Sequence, residues 1–279
     1  SARGCDFSKG RMTMDRRPIG VFDSGLGGLC AVSELTKILP GEDIIYFGDT
    51  GRVPYGSRSI QTLRKYAAED IAFLLSHDVK MILAACGTVS SSVLEDFAGE
   101  CPVPLLGVVD GAVKKAISLC RGGKIGIIGT ETTVNSGIFE RKIHEIMPEA
   151  KLKSIACPLF VPLVENGFIS RDCEITRLMC RHYLAEMKAF SPDVLILGCT
   201  HFPIISEIIA DFMPDVALVD PAKEAAHELL HVLNAAGIAS DSTHGEVKYF
   251  VSDAPERFSA NAWIFLGGEN EIKANKVEL

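Results

Sequence analysis

Short apolar runs alternate with helix-period segments along most of the chain. Ile19-Gly20-Val21-Phe22 reads as a strand, followed by a glycine turn and a helix from about Gly28 to Leu39. Asp43 to Phe47 predicts the next strand. Ser59 is placed to cap a helix whose apolar positions Ile60, Leu63, Ala67, Ile71 and Leu74 recur every three or four residues. The run Val79–Ala85 predicts a strand that ends at Cys86-Gly87-Thr88, with a helix through Phe97 and a short strand near Pro104 to Val109 beyond it. The second half repeats the plan. Lys124–Gly129 enters a hydroxyl-rich turn, a strand is expected near Lys151 to Ala156, and Asp193–Gly198 ends at Cys199-Thr200-His201. Ala222 to Leu266 adds a long helix and the strand-like Val247–Val251, expected to return to the first half.

This alternation predicts an α/β protein of two pseudo-symmetric, doubly wound lobes with mainly parallel sheets. The expected division is 18–112 plus 220–267 for the first lobe and 113–219 for the second. Residues 268–279 are read as a tail, and 1–17 as a disordered leader or expression remnant with Met12 or Met14 as candidate starts. Ligands of open α/β sheets bind beyond the carboxyl ends of the strands, so the cleft between the lobes is the expected site.

Composition narrows the function classes. The net charge of −8 and the lack of a basic stripe argue against a nucleic-acid partner. No apolar run approaches the roughly 18 residues that a membrane span needs, so no membrane partner is expected. The nine cysteines are odd in number and form no Cys-x-x-Cys pair, which suggests reduced thiols in a cytoplasm rather than a disulfide framework.

The candidate chemistry clusters at strand ends. A single free cysteine is more often a small buried hydrophobe than a reactive group. Cys86 and Cys199 differ because both close an apolar strand and open a turn with hydroxyls and free amides, where a thiol pKa can be lowered. His201 can relay a proton beside Cys199. Asp23-Ser24-Gly25-Leu26-Gly27-Gly28 follows a strand and opens a helix, but Cys30 stands where a dinucleotide fingerprint needs glycine. Pro54-Tyr55-Gly56 is a turn on the same edge. Thr130, Thr132 and Thr133 form the second-half counterpart of the Asp23 turn, with N-capping as the ordinary alternative. Glu165 lies between an apolar run and a glycine turn. His227-Glu228-Leu229-Leu230-His231 matches a zinc-peptidase pattern, but a surface helix with its leucines inward accounts for it better.

Five of these segments, taken in order, resemble the glutamate racemases of the cofactor-independent aspartate/glutamate racemase family. They are Asp23–Gly28, Gly48-Asp49-Thr50 with Val53–Gly56, Ala85-Cys86-x-Thr88, Phe160–Glu165 and Gly198–His201. The likeness runs from about Pro18 to Gly267. It implies interconversion of L- and D-glutamate without cofactor or metal, in a bacterial homodimer whose product feeds peptidoglycan synthesis. Cys86 and Cys199 are then the acid/base pair, with Asp23 assisting Cys86, and Glu165 and His201 assisting Cys199. Asp23, Ser24, Pro54, Tyr55, Gly56, Gly87, Thr88, Thr130, Thr133, Thr200 and His201 are the implied substrate contacts. Gly87 departs from the family, where asparagine is usual, so Gly87→Asn is expected to alter KM for glutamate. The competing readings are an aspartate or related racemase, a zinc metallopeptidase built on His227 and His231, and a silent amino-acid-binding protein.

Overall fold

A computed structural model describes residues 15–268 and 272–279. Strand β1 (Ile19–Asp23) is buried at every position and passes through Ser24–Gly28 into helix α1 (Leu29–Ile38). Strand β2 (Ile44–Gly48), equally buried, leads to α2 (Ile60–Ser76), whose N-cap Ser59 accepts the Thr62 amide. Strand β3 (Met81–Ala84) is followed by Cys86, the N-cap of α3 (Gly87–Ser92), and then by β4 (Leu105–Gly107) and α4 (Val109–Leu119). Next come β5 (Lys124–Gly129), α5 (Glu131–Ser136), α6 (Ile138–Ile146), β6 (Lys151–Ala156), α7 (Phe160–Glu165) and α8 (Glu174–Phe190). Strand β7 (Val194–Leu197) precedes Cys199, and α9 (Ser206–Phe212), β8 (Ala217–Val219) and α10 (Pro221–Ala236) come after it. The chain then returns through β9 (Val247–Val251), α11 (Pro255–Asn261), α12 (Trp263–Leu266) and β10 (Ala274–Lys276).

Among the described residues ten strands form two sheets, ordered β10-β9-β2-β1-β3-β4 and β6-β5-β7-β8. Every pairing is parallel, as crossover helices require. The near-continuous apolar runs of β1, β3 and β7 arise from burial on both faces. The order β2-β1-β3-β4 of the first sheet recurs as β6-β5-β7-β8 in the second, so the two lobes share a topology. In both, the strand order reverses at the first strand of the lobe, creating a switch point between β1 and β3 and another between β5 and β7. Cys86 lies just beyond β3 and Cys199 just beyond β7. Topology alone therefore puts each thiol at its lobe's ligand-binding crevice.

Three boundaries differ from the sequence expectation. The division at residue 112 falls inside α4, whose Val109, Ala112, Val113 and Ala116 pack in one buried cluster with Ile125, Ile127, Val194 and Ile196. That helix belongs to the second lobe because its apolar stripe faces the second sheet. The tail 268–279 contains β10, which pairs with Tyr249–Val251 and extends the first sheet. Its sequence signal is weak because an edge strand of three residues keeps Asn275 and Lys276 exposed. Residues 1–14 of the expected leader lie outside the described residues, whereas the Asp15 carbonyl accepts a 2.7 Å bond from the buried ammonium of Lys80. That ammonium also pairs with Glu42 at 2.6 Å and donates to the Ile238 carbonyl at 2.8 Å, tying together three distant segments. No described helix is long and apolar enough to cross a membrane.

Candidate active site

The two switch points face a common cavity of about 350 Å3 between the lobes. On the first-lobe side Cys86 is 3% exposed. Burial pushes its thiol up, the Asp23 carboxylate adds to this, and the amides of Val89 and Ser24 partly offset both. Asp23 is itself held by its own turn: Oδ2 accepts the Gly25 amide at 3.1 Å and the Gly28 amide at 3.0 Å. Its effect on Cys86 is therefore one of charge: it disfavours the thiolate and so makes it a stronger base once formed.

On the second-lobe side Cys199 has a different partner. Its Sγ stands 3.8 Å from His201 Nδ1, and His201 Nε2 stands 3.0 Å from Glu165 Oε1. The imidazole is buried and edge-on to Phe265, with ring centroids 5.3 Å apart. Burial alone would lower its pKa, but the bonds to Cys199 and Glu165 outweigh this and push it up to about 10. One lobe thus offers a thiol that keeps its proton, and the other a thiol paired with a cation. This pairing can remove a proton from one side of a bound molecule and supply one to the other.

The lobes also touch directly. Thr88 Oγ1 and Thr130 Oγ1 lie 3.2 Å apart across the cleft, and the Thr132 hydroxyl donates to the Gly56 carbonyl at 2.8 Å. At Gly27 a Cβ would stand 2.1 Å from Thr200 Oγ1 and 2.7 Å from the His201 ring, so only glycine lets the first turn approach the second.

The chain matches the Asp/Glu/hydantoin racemase family over residues 31–229. It is 40% identical over 258 residues to the glutamate racemase of Geobacter metallireducens, covering 92% of this chain and 95% of that protein. The chain belongs to the Asp/Glu/hydantoin racemase family. Its fold is similar to the crystal structure of glutamate racemase from Francisella tularensis in complex with D-glutamate. The TM-score is 0.88 at 37% identity, covering 95% of this chain and 98% of that one. The glutamate racemase isoform RacE1 from Bacillus anthracis is similar at a TM-score of 0.91 and 33% identity, with 95% and 98% covered.

In this racemase fold, nearly all the residues singled out from sequence reach the cavity wall. Asp23, Ser24, Pro54, Tyr55, Gly56, Cys86, Gly87, Thr88, Thr130, Glu165, Cys199, Thr200 and His201 all line it. Thr133 does not. It sits behind the wall, where its amide donates to the Thr130 hydroxyl in an ordinary N-cap and Ser91 bonds its Oγ1 at 3.3 Å. Its contribution to the site is to orient Thr130. Sequence reasoning missed Val53, Ser57, Glu131, Pro158, Val161 and Pro162 as wall residues. The apolar members carry no chemical signal, and Val161 and Pro162 read as part of the apolar run before Glu165. His227 and His231 are exposed on α10 while Leu229 and Leu233 point inward, and Glu228 is paired with Lys114 at 2.5 Å. Among the described residues no group of three or more His, Cys, Asp or Glu could hold a metal ion.

Gly87 has a steric reason to be glycine. A Cβ there would stand 2.7 Å from the Gly198 carbonyl oxygen, a backbone atom. Gly198 cannot easily retreat, because its amide donates to the Ile128 carbonyl at 2.7 Å and Phe139 packs behind it. The two cysteine-bearing turns are thus in contact through Gly87. An asparagine would have to part them before its amide could reach a substrate.

Proposed function

We propose that this racemase interconverts L- and D-glutamate by a two-base mechanism. The observation that carries the reading is the pair of buried thiols at equivalent switch points of one cleft, each with a different electrostatic partner. From L-glutamate, the Cys199 thiolate takes the α-proton while the Cys86 thiol delivers its proton to the opposite face. The α-carbon ends with inverted configuration, Cys199 as thiol and Cys86 as thiolate. From D-glutamate the same transfers run in reverse. The assignment of each thiol to one enantiomer comes from the family resemblance.

A thiolate with an ordinary pKa near 8.5 is a weak base for an α-proton, so the site must help. The lobe–lobe bonds hold the two walls of the cleft together, and the turn amides and hydroxyls around Ser24, Thr88 and Thr200 are preorganised donors for carboxylate and carbanionic oxygen. Glu165 and His201 assist Cys199, as the family resemblance implies, and Asp23 raises the basicity of the Cys86 thiolate. The reading also includes a homodimer, a cytoplasmic location and supply of D-glutamate to peptidoglycan. The eight described cysteines, all free thiols, are consistent with a reducing compartment.

The test is circular dichroism on L- and D-glutamate, with aspartate as the comparison substrate, for wild type, Cys86→Ser and Cys199→Ser. Each variant is expected to lose roughly 10^2- to 10^4-fold in racemisation, the usual size of an acid/base contribution. Full racemisation by either variant would refute the two-thiol mechanism, and a preference for aspartate would refute the substrate.

A further inference from the structure

The wall segment 53–57 is joined at Tyr55 to a largely buried cluster of charged groups. Asp49 at the end of β2 and Asp70 in the middle of α2 are both fully buried. Between them lies Arg52, whose Nε reaches Asp49 Oδ2 at 2.5 Å and whose Nη2 reaches Asp70 Oδ1 at 3.1 Å. Its Nη1 pairs with Glu69, and the guanidinium lies 4.2 Å from the centre of the Tyr66 ring. Tyr55, which lines the substrate cavity, sends its hydroxyl into this cluster. There its oxygen contacts Asp49 Oδ2 and lies 3.0 Å from Asp70 Oδ2.

The hydrogen atoms do not balance if both aspartates are ionised. Tyrosine carries one hydroxyl proton, and two carboxylate oxygens lie within hydrogen-bond distance of the same phenol oxygen. Asp49 is the better supplied of the two, receiving Arg52 Nε, the tyrosine hydroxyl and, at 2.8 Å on Oδ1, the Ser252 hydroxyl. Asp70 receives only Arg52 on Oδ1, and its Oδ2 faces the tyrosine oxygen alone. Three carboxyl groups share one guanidinium, and Lys65 lies 3.9 Å from Glu69 Oε1.

We propose that Asp70 is kept as a neutral carboxylic acid that donates from Oδ2 to the Tyr55 oxygen, and that it is a positioning residue for the Tyr55-Gly56 wall of the substrate cavity. Tyr55 in turn donates to ionised Asp49, and Arg52 donates to the carbonyl oxygen of the acid. Burial, with the charge of Asp49 added, drives the Asp70 pKa well above the usual carboxylate range. The chain Asp70–Tyr55–Asp49 is then fully satisfied, as a buried polar network must be to be rigid. Because Gly56 takes the Thr132 bond from the other lobe, this network fixes the place where the second lobe closes on the first.

The kinetic arm of the test rests on the glutamate racemase reading; the spectroscopic arm does not. Infrared spectra of wild type and Asp70→Asn in D2O should differ by loss of the carbonyl stretch of a protonated carboxyl group. The amide of Asp70→Asn can donate to Tyr55 and accept from Arg52, so its KM for glutamate should stay within about threefold of wild type. Asp70→Ala leaves both partners unsatisfied and should raise KM roughly tenfold or more while kcat changes less, the pattern of lost uniform binding. The proposal is overturned if no protonated-carboxyl band is lost in Asp70→Asn, if Asp70→Asn raises KM tenfold, or if Asp70→Ala folds and leaves KM unchanged. Should Asp70→Ala fail to fold, the band and the KM of Asp70→Asn decide alone. A wild type without activity on glutamate would sink the racemase reading while leaving the infrared result intact.

Discussion

Replacing Glu165 by glutamine keeps the shape of the His201 contact and removes its charge. Glu165 Oε1 stands 3.0 Å from His201 Nε2, and the other imidazole nitrogen faces Cys199 Sγ at 3.8 Å. A hydrogen bond to a charged group contributes about 1.5–3 kcal/mol against about 0.5–1.5 for a neutral pair, so the charge itself is worth about 1–1.5 kcal/mol. The Glu165 side chain keeps 29% exposure, and water screens it toward the lower end. At a tenfold change per 1.36 kcal/mol, kcat/KM should fall roughly 5- to 13-fold. The two enantiomers have equal free energy, so kcat/KM must fall by the same factor in both directions in any variant. The asymmetry of the site therefore has to be read from isotope effects. If Cys199 handles the L-face, weakening it makes that transfer more rate-limiting. The α-deuterium effect on kcat/KM should then rise for L-glutamate and fall for D-glutamate, measured by circular dichroism on labelled substrates. An unchanged kcat/KM would show that Glu165 does not act through His201, and effects moving in the opposite sense would reverse the assignment of the thiols.

Gly87→Ala forces a Cβ to within 2.7 Å of the Gly198 oxygen, so thermal denaturation should report a loss of about 1–3 kcal/mol and racemisation should drop with it. A variant as stable and active as wild type would show that the two turns are not in contact. The imidazolium of His201, raised to about 10 in the fold, stabilises the protein. A raised pKa gives stability that is fully present below the unfolded value of about 6.5 and is lost as pH rises toward the folded value. Urea melts should therefore weaken between those limits. His201→Gln should flatten this slope, and an identical slope in the variant would remove His201 as its source.

The parts of this molecule that are legible in its sequence are those whose physics is local. Buried parallel strands require unbroken apolar runs, so β1, β3 and β7 stand out, and the residue closing each run necessarily lies at or just beyond a carboxyl edge. That logic is enough to group Asp23, Cys86 and Cys199 at one cleft. Long-range packing is less visible. The stripe of α4 fits either lobe until its partners are known, and β10 is too short and polar to leave a period. Thr133 looks equivalent to Thr130, because a capping hydroxyl and a wall hydroxyl are written with the same letter. The cluster of Arg52, Asp49 and Asp70 joins residues from a strand end, a loop and mid-helix, and no sequence spacing announces it.

The claim that two opposed thiols share one α-carbon is tested most directly by a single turnover in D2O. L-glutamate should give D-glutamate that carries solvent deuterium at the α-carbon, while the L-glutamate recovered at early conversion stays unlabelled, because each face exchanges only with its own thiol. Protium retained in the product, or label entering the recovered substrate at the same rate, would mean that a single base serves both faces.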